Sequence, residues 1–224
     1  MRKVVLANHE IYHIYNRAID GRPVLSDRSS KTRFTSLLWF YRYIYRTMSY
    51  SNFQRLSQPN LESALQILLP RPKRVHILAY CLMDNHFHLL IDQLADKGIS
   101  GFKGDVLNGF TRYSNLKNER AGAIFLNQFK AVRMESDEQL QHVFRYIMLN
   151  PYTGFMVKTI PEIFTYQWSS IGEHIGNAST RKICNDERIM DQFTSIEAMH
   201  TFIEDQADYQ RTLGEIKHLL HELP

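Results

Sequence analysis

The segment KRVHILAYCLMDNHFHLLID, residues 73–92, constrains the fold more than any other part of the sequence. Two runs rich in apolar and β-forming residues flank Asp84-Asn85, residue types that tolerate the dihedral angles of a turn. The segment therefore predicts a β-hairpin, and with it an antiparallel sheet. Alternate side chains of a strand point to the same face, so His86 and His88 are expected to lie side by side.

The other periodic segments complete the order of strands and helices. Apolar spacing predicts a strand near 10–17, a helix capped by Ser29 or Ser30, a short helix near 61–69, a helix over 100–118, a strand over 124–134 and a helix over 137–150. This β-α-β-β-α-β run is the ferredoxin-like pattern. We therefore expect an α+β fold, with an antiparallel four- to five-stranded sheet and helices on one face.

The balance of charges changes along the chain. Residues 1–174 contain 22 Lys and Arg against 14 Asp and Glu, whereas residues 175–224 contain 5 against 9. We expect one main domain over 1–174 and a helical C-terminal appendage over 175–224. The basic part suits a polyanion such as nucleic acid, although ordinary solubility explains the same excess.

Two further features narrow the cellular setting. The N-terminal residues lack the apolar run of a signal peptide, and no stretch of about 18 apolar residues occurs, so we expect a cytoplasmic protein. Cys81 and Cys184 are far apart in the sequence and form no CxxC motif. They predict neither a disulfide framework nor a cysteine metal site, and both are expected to be buried.

The helix expected over 137–150 carries a polar stripe. It opens with Ser136 and Gln139 at capping-box spacing, it is expected to stop at Pro151, and residues four apart lie above one another on it. The stripe consists of His142, Tyr146 and Asn150. Tyr146 could supply a nucleophile, and Asn150 could add an oxygen ligand to an ion held by the two histidines. The alternatives are a stripe that faces water and a pair of hydrogen-bonded histidines.

Several segments together resemble one family. MDNHFHLLI is similar to the His-hydrophobe-His signature of the HUH single-strand transposases. FRYIMLNPYTGFMV resembles the tyrosine helix of their REP-associated tyrosine transposase branch, with Tyr and Asn four apart just before Pro. Further similarity lies, in the family's order, in YHIYNRAIDGRPVLSD, FTRYSNLKN and FTYQWSSIGEHIG.

The resemblance implies a metal-dependent enzyme that cuts and rejoins hairpin-containing single-stranded DNA through a 5′-phosphotyrosine. It implies His86 and His88 as metal ligands, Tyr146 as the nucleophile and Asn150 as a further ligand. Paired imidazoles by themselves favour transition ions such as zinc, whereas the resemblance implies Mg2+ or Mn2+, which we expect here. Such a protein would be cytoplasmic and at most associated with the bacterial nucleoid.

Two more residues are candidates for a part in the reaction, His142 as a proton acceptor and Tyr113 as an alternative nucleophile. The phenol of a tyrosine titrates near pH 10, so its proton must leave during attack, and His142 lies one turn before Tyr146. We hypothesise that His142 assists, against the alternative of a solvated helix face. Tyr113 is the rival nucleophile, but four residues after it stands Lys117, which cannot bind a metal.

Candidate DNA contacts mix cations with aromatic residues, as expected of a surface that binds phosphates and stacks bases. They are Arg42, Arg46, Arg74, Arg112, Lys117 and Lys130. Two departures from the family pattern stand out: Asp84 replaces a usual Pro, and FLNQFK lacks the usual Gly and Arg, which puts a DNA contact there in doubt.

The sequence leaves other functions open. A replication-initiator or relaxase-type nuclease uses similar chemistry, and a domesticated DNA-binding regulator would bind without cutting. The oligomeric state, monomer or homodimer, is open as well. The same holds for whether Tyr146 serves the histidines of its own chain or those of a partner. The DNA sequence or hairpin that is recognised is open too.

Overall fold

The core of the fold is a four-stranded antiparallel sheet. A computed structural model describes residues 5–44, 48–176, 182–185 and 187–212. The strands are β1 (Ile11–Arg17), β2 (Val75–Leu82), β3 (His86–Gln93) and β4 (Lys130–Arg133). They are arranged in the order β2-β3-β1-β4, with every neighbouring pair antiparallel. The expected α+β class, the hairpin and the antiparallel sheet are confirmed.

Helices connect and cover these strands. They are α1 (Arg28–Tyr41), α2 (Tyr50–Phe53), α3 (Gln58–Leu68), α4 (Gly98–Lys117), α5 (Asp137–Thr153), α6 (Ile171–His174), α7 (Glu187–Met190) and α8 (Ile196–Glu204). Single 3-10 turns lie at Ile19–Gly21 and Pro161–Thr165. No helix among the described residues is long and apolar enough to cross a membrane.

The two faces of the sheet carry separate apolar clusters. The crossover helices α1 and α4 share one face, where Phe34 and Phe110 pack with Phe87 of β3. Helix α5 packs on the other face, where Phe144 joins a cluster that contains Leu90 of β3. Our expectation of helices on one face therefore holds only for α1 and α4. Helix α5 takes the opposite face because that face also presents apolar side chains.

Local hydrogen bonds explain where the helices begin and end. The Asp27 side chain, rather than Ser29 or Ser30, caps α1 by accepting from Ser30 N. Ser136 caps α5 as expected. Helix α5 continues past Pro151, where we expected it to stop, because the Gly154 N–H donates to the Asn150 carbonyl at 2.8 Å and closes another turn. Strand β4 is shorter than expected and omits 124–129.

The described part of the C-terminal segment packs against α5. Arg145 donates to the Phe202 carbonyl at 3.0 Å, and its guanidinium lies 4.1 Å from the Phe202 ring centroid. The Tyr152 hydroxyl donates to Asp208 at 2.9 Å. Cys184 and Cys81 are both buried, so the expectation of burial is confirmed for each of them. The division of the chain at residue 174 stays a prediction.

Replacing Gly98 with Ala tests the tight join between β2 and α4. A Cβ at this position would lie 2.4 Å from the Arg74 carbonyl oxygen, so backbone must move. We expect Gly98→Ala to lose about 1–3 kcal/mol of unfolding free energy in urea titrations. Gly104→Ala in the same helix is the matched control. Its Cβ meets nothing within 4 Å, so it should gain about 0.5–1 kcal/mol. Equal effects would contradict the prediction.

Candidate active site

Two histidines lie next to each other on the sheet face that α5 covers. His86 and His88 are on β3, and their ring centroids are 5.1 Å apart with planes at 85°. His88 is only 4% exposed. Strand pairing sets Cys81 of β2 and Tyr15 of β1 on either side of His88. The side-by-side placement expected from strand alternation is therefore observed.

Helix α5 places Tyr146 over this pair. The Tyr146 ring stands edge-on to the His88 ring, with centroids 5.4 Å apart and planes at 89°. Tyr146 is 41% exposed, so its side chain is partly open to solvent. Asn150, one turn further on, is buried and donates from Nδ2 to the Tyr146 carbonyl at 2.7 Å. No described residue donates a hydrogen bond to its Oδ1.

The Nδ1 atoms of both histidines are held by polar neighbours. His86 Nδ1 lies 2.7 Å from the Asn85 Oδ1, and Asn85 Nδ2 donates to the Gly21 carbonyl at 3.1 Å. That second bond fixes the amide, so Oδ1 is the acceptor and His86 Nδ1 carries the proton. His88 Nδ1 lies 2.9 Å from His13 Nε2. No described residue hydrogen-bonds to Nε2 of either His86 or His88.

Burial keeps these imidazoles neutral. It lowers the pKa of His13 to about 4. Burial, with a smaller contribution from Arg17, lowers the pKa of His86 to about 4. The pKa of His88 is well below its usual range, because of burial and then of His86 and His13. A neutral imidazole with a bare nitrogen is the form that binds metals.

The Tyr146 phenol has the opposite shift. Burial raises its pKa, and the side-chain amide of Asn150 opposes that rise. The phenol is therefore protonated near neutral pH, and a reaction at its oxygen must remove that proton.

The candidate donor atoms for a cation are two imidazole nitrogens and one amide oxygen. Among the described residues, no three His, Cys, Asp or Glu side chains form a group that could hold a metal ion. The candidate set therefore consists of His86, His88 and Asn150, of which only the last supplies oxygen. Because Nδ1 of each histidine is engaged, Nε2 is the nitrogen available for an ion, and the residues fit a divalent cation completed by other oxygen ligands.

Sequence reasoning missed two residues beside the histidines. His13 contacts His88, and its ring centroid is 6.0 Å from that of Tyr146. The Tyr15 ring stacks on His88 at 5.6 Å. Alternation in IYHIYNR already places both on one face of β1. Only the pairing of β1 with β3 brings that face next to His88.

His142 and Tyr113 lie elsewhere. His142 Nδ1 accepts from Arg145 Nη2 at 2.8 Å, and its ring is near Phe202 of α8. Tyr113 is on α4, across the sheet from the histidines, and its hydroxyl donates to Ser29 at 3.1 Å. The structure therefore does not bring Tyr113 to the histidines, whereas the catalytic role of His142 stays a prediction.

The cations suggested for DNA contact fall into two groups, and Arg46 lies outside the described residues. Arg42 is buried and donates to the Ile183 carbonyl at 2.5 Å. Arg74 donates to Asp105 and to the Tyr41 carbonyl. The other three side chains, those of Arg112, Lys117 and Lys130, are exposed. Of these, Lys117 forms an ion pair with Asp27 at 2.6 Å.

The fold matches that of a known transposase. It is similar to the solved structure of a REP-associated tyrosine transposase bound to a REP hairpin, with a TM-score of 0.54 and 15% sequence identity. The match covers 88% of this chain and 95% of that chain. No protein-family model matches the sequence, and no curated protein matches it. The likeness shows that the chain shares the fold of that transposase.

The buried imidazoles predict that the metal-free protein loses stability in acid. The pKa of His13 is about 4 in the folded chain and 6.5 for a free imidazole. The unfolded chain therefore binds more protons below pH 6.5, and the stability present above that pH declines down to about pH 4. Each imidazole should contribute a slope of about 1.4 kcal/mol per pH unit.

Urea unfolding between pH 7.5 and 4.5 in chelator measures this decline. A His13→Leu/His88→Leu variant removes both titrating rings and should show a shallower decline over the same range. Parallel curves for the variant and the wild-type protein would contradict the prediction.

Proposed function

We propose that this protein is a transposase-like, metal-dependent endonuclease and strand transferase acting on hairpin-containing single-stranded DNA. One observation carries the proposal: an accessible tyrosine stands over a buried histidine pair whose Nδ1 atoms are engaged and whose Nε2 atoms are not. A phenol and two neutral imidazoles at this spacing suit attack on a phosphodiester.

A divalent cation, Mg2+ or Mn2+, would be held by His86 Nε2, His88 Nε2 and Asn150 Oδ1. When bound, such an ion acts as a Lewis acid that stabilises the negative charge developing on a phosphate. Helix α5 and strand β3 supply these ligands from two packed elements of one chain. We therefore propose that Tyr146 serves the histidines of its own chain, so that the site needs no second copy.

In the proposed reaction the Tyr146 oxygen attacks phosphorus, and the bond from phosphorus to the 3′-oxygen breaks. The products are a 5′-phosphotyrosine and a 3′-hydroxyl. The proton lost by the phenol equals the proton gained by the leaving 3′-oxygen, so the step balances without a co-reactant. Because one phosphoester replaces another, a second 3′-hydroxyl can reverse the step and join strands.

Tyr146 is the nucleophile in this proposal for two reasons of geometry. Tyr15 is also near His88, but its ring stacks on the imidazole with 28° between the planes, whereas the Tyr146 ring is edge-on. Tyr146 also has Asn150 one turn away, so the nucleophile and the oxygen ligand come from the same helix. Tyr113 faces α1 on the far side of the sheet.

We propose DNA as the partner for two reasons, the charge of this chain and the DNA bound to the structurally similar transposase. That transposase is bound to a REP hairpin, and residues 1–174 of this chain carry 22 Lys and Arg against 14 Asp and Glu. Arg112, Lys117 and Lys130 are exposed and are the cations that we propose contact phosphates. Arg42 and Arg74 are weaker candidates because their side chains are mostly covered and bond within the chain, whereas the ion pair of Lys117 with Asp27 lies at the surface.

Covalent capture tests the proposed chemistry. Purified protein is mixed with Mn2+ or Mg2+ and a labelled pool of single-stranded hairpin DNAs from the source genome, and adducts are resolved on a denaturing gel. We expect an adduct with the wild-type protein and with Tyr15→Phe, and none with Tyr146→Phe or with chelator. Tyr15→Phe is the matched control because Tyr15 is also a ring neighbour of His88.

The possible results separate three readings. An adduct that survives Tyr146→Phe but not Tyr15→Phe would assign the nucleophile to β1. Hairpin binding without any adduct would favour a domesticated DNA-binding regulator. Mixing Tyr146→Phe with His88→Ala tests the single-chain site, because restored cleavage would mean that the tyrosine serves a partner's histidines.

His142→Ala tests whether His142 helps to remove the phenol proton. Its Nδ1 accepts a hydrogen bond from Arg145, which occupies the lone pair that would take a proton. If His142 assists, the variant should cleave about 100-fold more slowly, with the largest loss at low pH. Single-turnover cleavage rates between pH 6 and 9 measure this, and rates equal to those of the wild-type protein would exclude the role.

A further inference from the structure

One polar contact beneath the proposed cation site has no role in the chemistry described above. His13 Nε2 and His88 Nδ1 lie 2.9 Å apart, and the two rings are stacked at 22° with centroids 5.2 Å apart. Both side chains are buried, at 8% and 4% exposure. Burying two imidazoles costs free energy that an apolar pair would not, so their hydrogen bond calls for an explanation.

Strand pairing fixes this contact. Tyr15 stands directly opposite His88, and His13 stands opposite Leu90, so His13 is the diagonal neighbour of His88 on the same face. Both strands are in the centre of the sheet, because β3 lies between β2 and β1, and β1 lies between β3 and β4. The two rings are therefore held by backbone that pairs on both sides, and the contact is preorganised.

The hydrogen bond permits only two arrangements of neutral rings. If His13 donates, His88 carries its proton on Nε2 and that atom cannot bind an ion. If His88 donates from Nδ1, its Nε2 is bare. The neighbouring His86 is already fixed in the second form, because its Nδ1 faces an amide oxygen that can only accept.

We infer that His13 is a positioning residue: it accepts a hydrogen bond from His88 Nδ1 and so holds His88 with a bare Nε2, matched to that of His86. The inference rests on the proposed cation site and gives His13 the part that Asn85 plays for His86. An acceptor on the far nitrogen of a ligating imidazole fixes the ring and raises its basicity, and its loss lowers metal affinity about 10–100-fold. His13 itself touches neither the ion nor the DNA in this role.

Two substitutions separate the hydrogen bond from mere packing. His13→Gln places an amide oxygen close to the position of the imidazole Nε2 and can still accept from His88. His13→Leu fills a similar volume and cannot accept. If His13 only fills space, the two variants should behave alike. If it positions His88, only the leucine variant should lose the function, and glutamine should restore it.

The first measurement is 15N NMR of histidine-labelled protein in chelator, with the His88 signals assigned by comparison with His88→Asn. We expect a protonated Nδ1 and a bare Nε2 for His88 in the wild-type protein and in His13→Gln, and a mixture of both tautomers in His13→Leu. Urea unfolding of each variant establishes that it is folded. A His88 ring protonated on Nε2 in the wild-type protein would overturn the inference.

The second measurement is Mn2+ affinity, read from the EPR signal of the free ion. We expect His13→Leu to bind about 10–100-fold more weakly than the wild-type protein, and His13→Gln to bind within a few fold of it. Wild-type affinity in a folded His13→Leu variant, or no Mn2+ binding by the wild-type protein, would overturn the inference. If His13→Leu does not fold, the inference is tested by the His88 tautomer in the wild-type protein and by the Mn2+ affinity of His13→Gln.

These readouts are independent of DNA cleavage. If His88 has the expected tautomer and His13→Leu weakens Mn2+ binding, but no covalent adduct forms on any DNA, the proposed function fails and the role of His13 stands. If the adduct forms normally and His13→Leu binds Mn2+ like the wild-type protein, only the role of His13 fails.

Discussion

The pairing register of β1 with β3 is the constraint on which the candidate site depends. It sets Tyr15 opposite His88 and His13 diagonal to it, across the centre of the sheet. A shift of one residue would turn every side chain of β1 to the other face and separate His13 from His88. The apolar side chains on the far face, such as Tyr12 and Ile14, hold that register because they pack into the cluster under α1 and α4.

The two faces of the sheet divide stability and chemistry. The face under α1 and α4 is closed by stacked aromatic rings and carries none of the residues proposed for catalysis. The face under α5 is apolar around Phe144 but polar where the histidines lie, and Tyr146 stands at that boundary. Helix α5 is therefore anchored by its apolar side chains, and it presents the Tyr146 phenol at the edge of its contact with the sheet.

The described C-terminal residues bear on this site through α5. Arg145 is buried and contacts α8 by a hydrogen bond to the Phe202 carbonyl and by its position over the Phe202 ring. It precedes Tyr146 in the chain and also holds His142. The acidic segment thus contributes to the packing of the helix that carries the proposed nucleophile, and its described helices lie against the basic part of the chain.

The sequence alone determined the features that depend on local periodicity. Strand alternation put His86 and His88 on one face, helical spacing put Asn150 one turn after Tyr146, and Asp84-Asn85 marked the hairpin. Only the tertiary structure decided which face α5 covers, that Arg42 points inward, and that His13 lies against a histidine 75 positions away. The reason is physical: these outcomes depend on how distant segments pair and pack, which no local pattern encodes.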